Sequence, residues 1–166
     1  AAIQLRWLNL LSDGAPALAL GLEKGDPDIM AQPPRPPREP VINRGMLSGI
    51  LVQTVAITAV VLVAYWQGML RFAALEGLDS IDTARTMAFA TLVLSELLRV
   101  YTCRSERLPL LRIGLFTNRW MQPAVGLSMA LMFIVIYVPF LQPVFSTVAL
   151  SWREWGLIAP LALVPS

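Results

Sequence analysis

Five long apolar stretches, separated by polar or proline-rich connections, set the strongest limit on how this chain can fold. A helix of about 20 apolar residues is long enough to cross a lipid bilayer. The sequence is 56% hydrophobic and 14% charged, whereas an average soluble domain has about 25% charged residues. We therefore predict an all-α fold, a polytopic membrane helical bundle of about five transmembrane helices, the first and last truncated. These helices are predicted at residues 1–22, 46–66, 84–101, 120–141 and 152–164.

The distribution of basic residues predicts the orientation of these helices. Four Lys or Arg residues lie in residues 23–44 and five lie in residues 99–119, whereas the other connections contain fewer. Cytoplasmic loops of membrane proteins carry an excess of Lys and Arg. We therefore expect loops 23–44 and 102–119 to be cytosolic, and the first helix to run from the outside towards the cytosol.

A group of oxygen-bearing residues interrupts the first apolar stretch. Asn9, Ser12 and Asp13 are spaced i, i+3 and i+4, which places them on one face of a helix. An Asp within hydrocarbon is costly unless it faces a cavity, a partner or an ion. Pro16 cannot donate a hydrogen bond to the carbonyl of Ser12, and Gly14 lowers the local helix propensity.

Free carbonyls beside a carboxylate suit Ca²⁺ or Na⁺, so this pattern predicts a hard-cation half-site and a role in transport. The alternative is that Asn9 and Ser12 join helices by hydrogen bonds between them. On these residues alone, a channel or secondary transporter with an Asn/Ser/Asp cation site fits as well as a pump, and a structural bundle that assists pump folding is a third class.

The segment Trp7-Leu-Asn-Leu-Leu-Ser-Asp-Gly-Ala-Pro-Ala-Leu-Ala-Leu-Gly21 resembles the sixth transmembrane helix of calcium-transporting P-type ATPases. Asp26-Pro-Asp-Ile-Met30 and the following proline-rich residues resemble the cytosolic loop after that helix. Ser95-Glu96 and Leu127-Ser-Met-Ala-Leu131 resemble the eighth and ninth helices. The resemblance covers the sixth to tenth helices, and it implies that the Ca²⁺ ligands of this chain are Asn9, Ser12, Asp13 and Glu96.

The resemblance also implies that the chain is a C-terminal fragment of a larger pump. Its partners would be the lipid bilayer and the remaining helices and cytosolic domains of that parent, in the plasma membrane. The sequence lacks the Asp-Lys-Thr-Gly phosphorylation motif and any nucleotide-binding signature. We therefore expect no ATP hydrolysis by this chain alone, with Mg²⁺ and ATP acting only through the parent, and no nucleic-acid partner.

Two ionisable residues have alternative interpretations. Glu96 lies three residues before Arg99, so an ion pair at the membrane interface is the alternative to a role as ligand. Arg6 shares a helical face with Asn9 and Asp13, where the family usually has an apolar residue. Arg6 either extends towards the outer headgroups or acts as a fixed counter-ion to Asp13, which would lower the number of cations carried.

The same composition disfavours soft-metal chemistry. Cys103 is the single cysteine and the sequence contains no histidine. An intrachain disulfide and an ordinary zinc site are therefore excluded. Oxygen ligands alone do not separate Ca²⁺ from Mn²⁺ or Na⁺.

Overall fold

The computed structural model describes residues 2–23, 30, 42, 44–72, 80–104, 114 and 116–165, and it describes only the backbone of Ser12 and Asp13. Every regular element in these residues is helical, which confirms the predicted all-α fold. The elements in chain order are α1 Ala2–Asp13, α2 Ala15–Gly21, α3 Arg44–Gln67 with a π-helical continuation Gly68–Phe72, α4 Ser80–Thr102, α5 Met121–Tyr137, α6 Gln142–Phe145 and α7 Trp152–Leu163.

The predicted membrane spans are only partly reproduced. Within the described residues, one helix, Gly45–Leu70, is long and apolar enough to cross a membrane, and Met121–Tyr137 is a shorter apolar helix. The expected span at 1–22 is divided into α1 and α2, and α4 carries four charged residues, Asp82, Arg85, Glu96 and Arg99. The number of five spans therefore stays a prediction. Most of the expected loops 23–44 and 102–119 lies outside the described residues.

Helix α4 is at the centre of the bundle, in contact with α1, α2, α3, α5 and α7. Its apolar residues Met87, Ala90, Val93 and Leu97 recur at helical spacing and are almost completely buried. They share one core with residues of α1, α2, α5 and α7. Packing against α4 therefore determines the positions of these helices in the bundle.

Helix α3 packs along one side of α4 and leaves most of its own surface exposed. Ile57, Val60 and Ala64 form its buried stripe, because their spacing puts them on one helical face. Large apolar side chains cover the rest, including exposed Leu51 and Trp66. A helix that is apolar on all sides is typical of a membrane span or a deeply buried core.

The C-terminal end of α3 makes a close backbone contact with the start of α4. Gly68 begins the π-helical continuation and is buried against Ala84. A Cβ atom at position 68 would lie 2.6 Å from Cα of Ala84, closer than nonbonded atoms can approach. Glycine is therefore required for α3 and α4 to approach this closely.

The end of α5 and the start of α7 are joined by side-chain hydrogen bonds. The Tyr137 hydroxyl donates to the Leu150 carbonyl at 2.7 Å and accepts from Trp155 Nε1 at 2.7 Å. At the first turn of α7, the carboxylate of Glu154 accepts a hydrogen bond from the backbone N–H of Ser151. A carboxylate at this position satisfies a donor that the helix leaves unpaired.

Substituting Gly68 by alanine should destabilise the bundle. The added methyl group has to push α3 away from the backbone of Ala84, and overpacking of this kind costs about 1–3 kcal/mol. We expect a lower unfolding temperature for Gly68→Ala than for wild type in detergent. Gly49→Ala is the matched control, because nothing lies within 4 Å of a Cβ at that exposed position of α3. Equal unfolding temperatures of the two variants would contradict the proposed role of Gly68.

Candidate cation site

The backbone of the first apolar stretch is interrupted at one residue. Helix α1 ends at Asp13, α2 begins at Ala15, and Gly14 between them has φ −78° and ψ −108°, outside the helical region. A Cβ atom at Gly14 would lie 2.5 Å from the carbonyl oxygen of Leu10. Pro16 lies in the first turn of α2. The N–H groups of a first turn have no acceptor within the helix, so a proline there costs no helical hydrogen bond.

The four predicted ligands lie on two helices that touch each other. Asn9 is exposed on α1, and Ser12 and Asp13 are the last two residues of that helix. Glu96 is half-buried on α4, which packs against α1. No group of three or more His, Cys, Asp or Glu that could hold a metal is formed by the part of the chain that the structure describes. Convergence of the four residues on one cation stays a prediction.

The alternative role of Glu96, an ion pair with Arg99, is not observed among the described residues. Arg99 Nε is instead buried without a hydrogen-bond partner, and so is the hydroxyl of Ser95. Ser95 directly precedes Glu96 and is completely buried. The C-terminal half of α4 therefore carries two buried polar atoms, Ser95 Oγ and Arg99 Nε, without a hydrogen-bond partner. Arg6 is exposed on α1, and the contact with Asp13 that its counter-ion role requires stays a prediction.

A residue that the spacing of polar side chains did not single out also reaches this region. Ser128, in the middle of α5, is 2% exposed, and its hydroxyl donates a 2.7 Å hydrogen bond to the carbonyl oxygen of Leu11. Leu11 belongs to the last turn of α1, where backbone carbonyls lack donors within the helix. The sequence signal is a single small polar residue in an apolar helix, which does not identify its partner.

The end of α2 is held by a second polar cluster. Arg104, whose side chain is fully buried, donates from Nε and Nη2 to the two carboxylate oxygens of Glu23 at 2.9 and 2.7 Å. Its Nη1 donates to the carbonyl of Gly114 at 2.8 Å, and Nη2 also donates to Thr117 Oγ1 at 2.6 Å. Paired bonds between a guanidinium and a carboxylate are stronger and more directional than neutral hydrogen bonds.

Asn118 completes this cluster. Its Nδ2 atom donates to Glu23 Oε2 and to the carbonyl of Ala19, both at 2.8 Å. The donated bonds from Arg104 lower the pKa of Glu23 below its ordinary value of 4.5; burial opposes this shift, while Asn118 and the positive charge of Arg104 add to it. The cluster therefore joins the beginning of loop 23–44 to the two ends of loop 102–119.

Comparison with known proteins identifies the family. The family model described as cation transporting ATPase, C-terminus, matches residues 1–166. The calcium-transporting ATPase of Bacillus subtilis (strain 168) is 37% identical over 169 residues, which covers 99% of this chain and 18% of that protein. The calcium-transporting ATPase type 2C member 1 of Homo sapiens is 34% identical over 152 residues, covering 90% of this chain and 16% of that protein.

The same pattern holds for a yeast relative. The calcium-transporting ATPase 1 of Yarrowia lipolytica is 37% identical over 153 residues, or 92% of this chain and 16% of that protein. This chain belongs to the C-terminal family of cation transporting ATPases. It is part of an integral membrane protein and spans less than a fifth of the length of the relatives it matches.

Gly14→Ala should disturb the interruption. The new methyl group would collide with the carbonyl oxygen of Leu10, a backbone atom that moves only if α1 moves. We expect a loss of stability of about 1–3 kcal/mol, measured as a lower unfolding temperature in detergent. Gly21→Ala is the control, since no atom lies within 4 Å of a Cβ at that position. A Gly14→Ala variant as stable as the control would refute the steric requirement for glycine.

The Glu23 cluster predicts a stability change that depends on pH. Because the pKa of Glu23 is lowered in the folded state, its contribution is fully present above about pH 4.5 and is lost as the pH falls through the depressed value. Glu23→Gln should cost on the order of 3 kcal/mol at neutral pH, because buried Arg104 loses its counter-ion. The difference from wild type should shrink below pH 4.5.

Unfolding temperatures of wild type and Glu23→Gln, measured between pH 3.5 and 7, test this expectation. Asp82→Asn is the control, because Asp82 forms a partly exposed ion pair with Arg85 at 3.3 Å and such pairs contribute at most about 1 kcal/mol. A Glu23→Gln deficit that is constant over the whole pH range would exclude the charged pair as its origin.

Proposed function

We propose that this chain is the membrane cation-binding and scaffold portion of an ATP-driven pump that exports Ca²⁺ from the cytosol. The observation that carries the proposal is the interruption of the first apolar stretch at Gly14, directly after Asp13, in a chain of the cation transporting ATPase family. A broken helix would free backbone carbonyls close in sequence to the carboxylate of Asp13. This combination supplies the oxygen ligands that hard cations require.

The ligands in this proposal are Asn9, Ser12, Asp13 and Glu96. Asn9 is exposed on a face of α1 that the described helices do not cover, so it is accessible to a cation and to further helices of a parent pump. Glu96 lies on α4, the helix that α1 packs against. Ca²⁺ accepts six to eight oxygen ligands, more than four side chains provide. The remaining ligands would come from other helices of the parent.

The choice of Ca²⁺ over Mn²⁺ or Na⁺ is supported by the names of the relatives, which are calcium-transporting ATPases. ATP and Mg²⁺ would act through cytosolic domains of the parent. There, phosphorylation would change the access to the site. We place the chain in the plasma membrane as five spans, with loops 23–44 and 102–119 in the cytosol. The basic residues of those two loops support this orientation.

ATP-dependent uptake of ⁴⁵Ca²⁺ into vesicles by the full-length pump tests this function. Asp13→Asn should reduce uptake to background, because the carboxylate is replaced by a neutral amide at the centre of the proposed site. Glu96→Gln should raise the half-saturating Ca²⁺ concentration about tenfold if Glu96 is a ligand, since losing one charged interaction of about 1.4 kcal/mol weakens binding by that factor. Asp82→Asn is the control, since Asp82 is a partly exposed carboxylate at the other end of α4.

Three results would contradict parts of the proposal. If the wild-type pump takes up no Ca²⁺, the proposal that Ca²⁺ is the transported ion is refuted. The same vesicles would then be tested with Mn²⁺ and Na⁺. Unchanged uptake by Asp13→Asn would refute the position of the site. An unchanged half-saturating concentration in Glu96→Gln would remove Glu96 from the ligand set and leave the other three residues.

A further inference from the structure

Helix α5 contacts the interrupted helix on both sides of the interruption. Before it, the Ser128 hydroxyl donates to the Leu11 carbonyl at 2.7 Å. After it, Asn118 Nδ2 donates to the Ala19 carbonyl at 2.8 Å. Both donors are buried, with Ser128 2% and Asn118 6% exposed. Two buried hydrogen bonds therefore join α1 to α5 and α2 to Asn118, which lies three residues before α5.

Asn118 is fixed relative to α5 although it lies just before the first residue of that helix. Its side-chain Oδ1 accepts from the backbone N–H of Trp120 at 3.0 Å, and its carbonyl accepts from the N–H of Met121 at 3.2 Å. Helix α5 then continues without interruption through Ser128 to Tyr137. The two donors consequently belong to one rigid unit.

The spacing of the two contacts matches an antiparallel packing of α5 against α1 and α2. Ala19 follows Leu11 by eight residues, and Ser128 follows Asn118 by ten residues. Most residues in each separation are helical, and at about 1.5 Å per helical residue both separations are roughly 10–15 Å. Buried Leu11 and Ala19 share one apolar core with Met121 and Val125 of α5. The continuous helix therefore bridges the discontinuous one along the whole interrupted region.

We propose that α5 holds α1 and α2 in a fixed position relative to each other and that Ser128 is a positioning residue for the cation site. This inference rests on the proposed function. The bond to Ser128 holds the Leu11 carbonyl in one orientation, and Leu11 lies between the proposed ligands Asn9 and Ser12. Ser128 acts through that carbonyl on the last turn of α1 and contributes no ligand of its own.

The test measures ATP-dependent ⁴⁵Ca²⁺ uptake by the full-length pump as a function of free Ca²⁺. Ser128→Ala should raise the half-saturating Ca²⁺ concentration about three- to tenfold, the size of effect that one hydrogen bond produces. The maximal rate should stay within about twofold of wild type. Ser128→Thr keeps the hydroxyl and should restore the wild-type concentration.

Thr147→Val is the matched control for a purely structural effect. The Thr147 hydroxyl is also buried and donates at 2.8 Å to a carbonyl of α5, that of Val135, but at the other end of the helix. Thr147→Val should lower the unfolding temperature by about as much as Ser128→Ala without shifting the half-saturating Ca²⁺ concentration. If Ser128→Ala does not accumulate, Ser128→Cys, a weaker donor, is measured in its place and should show a smaller shift in the same direction.

The outcomes separate this inference from the proposed function. Wild-type vesicles without Ca²⁺ uptake overturn the proposed function and the inference with it. Wild-type uptake with an unchanged half-saturating concentration in Ser128→Ala overturns the inference alone. Equal shifts in Ser128→Ala and Thr147→Val also overturn it, because the effect would then follow stability instead of the geometry of the interruption. A shift confined to Ser128→Ala, with rescue by Ser128→Thr, supports the role of Ser128 and α5 in positioning the last turn of α1.

Discussion

The structure depends on how the backbone N–H and C=O groups are hydrogen-bonded between the end of α1 and the start of α2. In an apolar environment each unpaired N–H or C=O costs several kcal/mol, so a helix can be interrupted only where other groups complete its hydrogen bonds. Pro16 removes one donor from the interruption, Gly14 permits its backbone conformation, and Ser128 donates to Leu11. In the proposed pump, the oxygen atoms beside Asp13 would then be available to a cation.

The rest of the bundle supports this interruption from two directions. Helix α4 packs against α1 and α2 and carries Glu96. On the predicted cytosolic side, the bidentate pair of Glu23 and Arg104 secures the end of α2. A buried ion pair is weak evidence for net stability, because desolvation offsets much of its attraction, but losing one partner is strongly destabilising. The pair therefore links Glu23, just after the end of α2, to Arg104, just after α4, and loss of either partner should be costly.

Sequence reasoning found the elements whose signals are local. The apolar stretches indicated the helices, and the spacing of Asn9, Ser12 and Asp13 indicated the candidate site beside Gly14. It placed one helix at 1–22, where the structure has two, because the apolar pattern continues through Gly14 and does not report the backbone angles of a single residue. The bond of Ser128 to Leu11 joins residues 117 positions apart. No periodicity reports such a pairing, because it arises only when helices pack.

The contrast between α3 and α4 has a consequence for biosynthesis. Helix α3 is apolar on all sides and contains a segment that meets the requirements for crossing a bilayer by itself. Helix α4 carries Asp82, Arg85, Glu96 and Arg99, and each charge makes its transfer into lipid less favourable. If α4 crosses the membrane as predicted, its insertion would therefore need α1 and α3, which pack against it, to shield its charged residues. In that case, the folding of this region and its membrane insertion would be one coupled process.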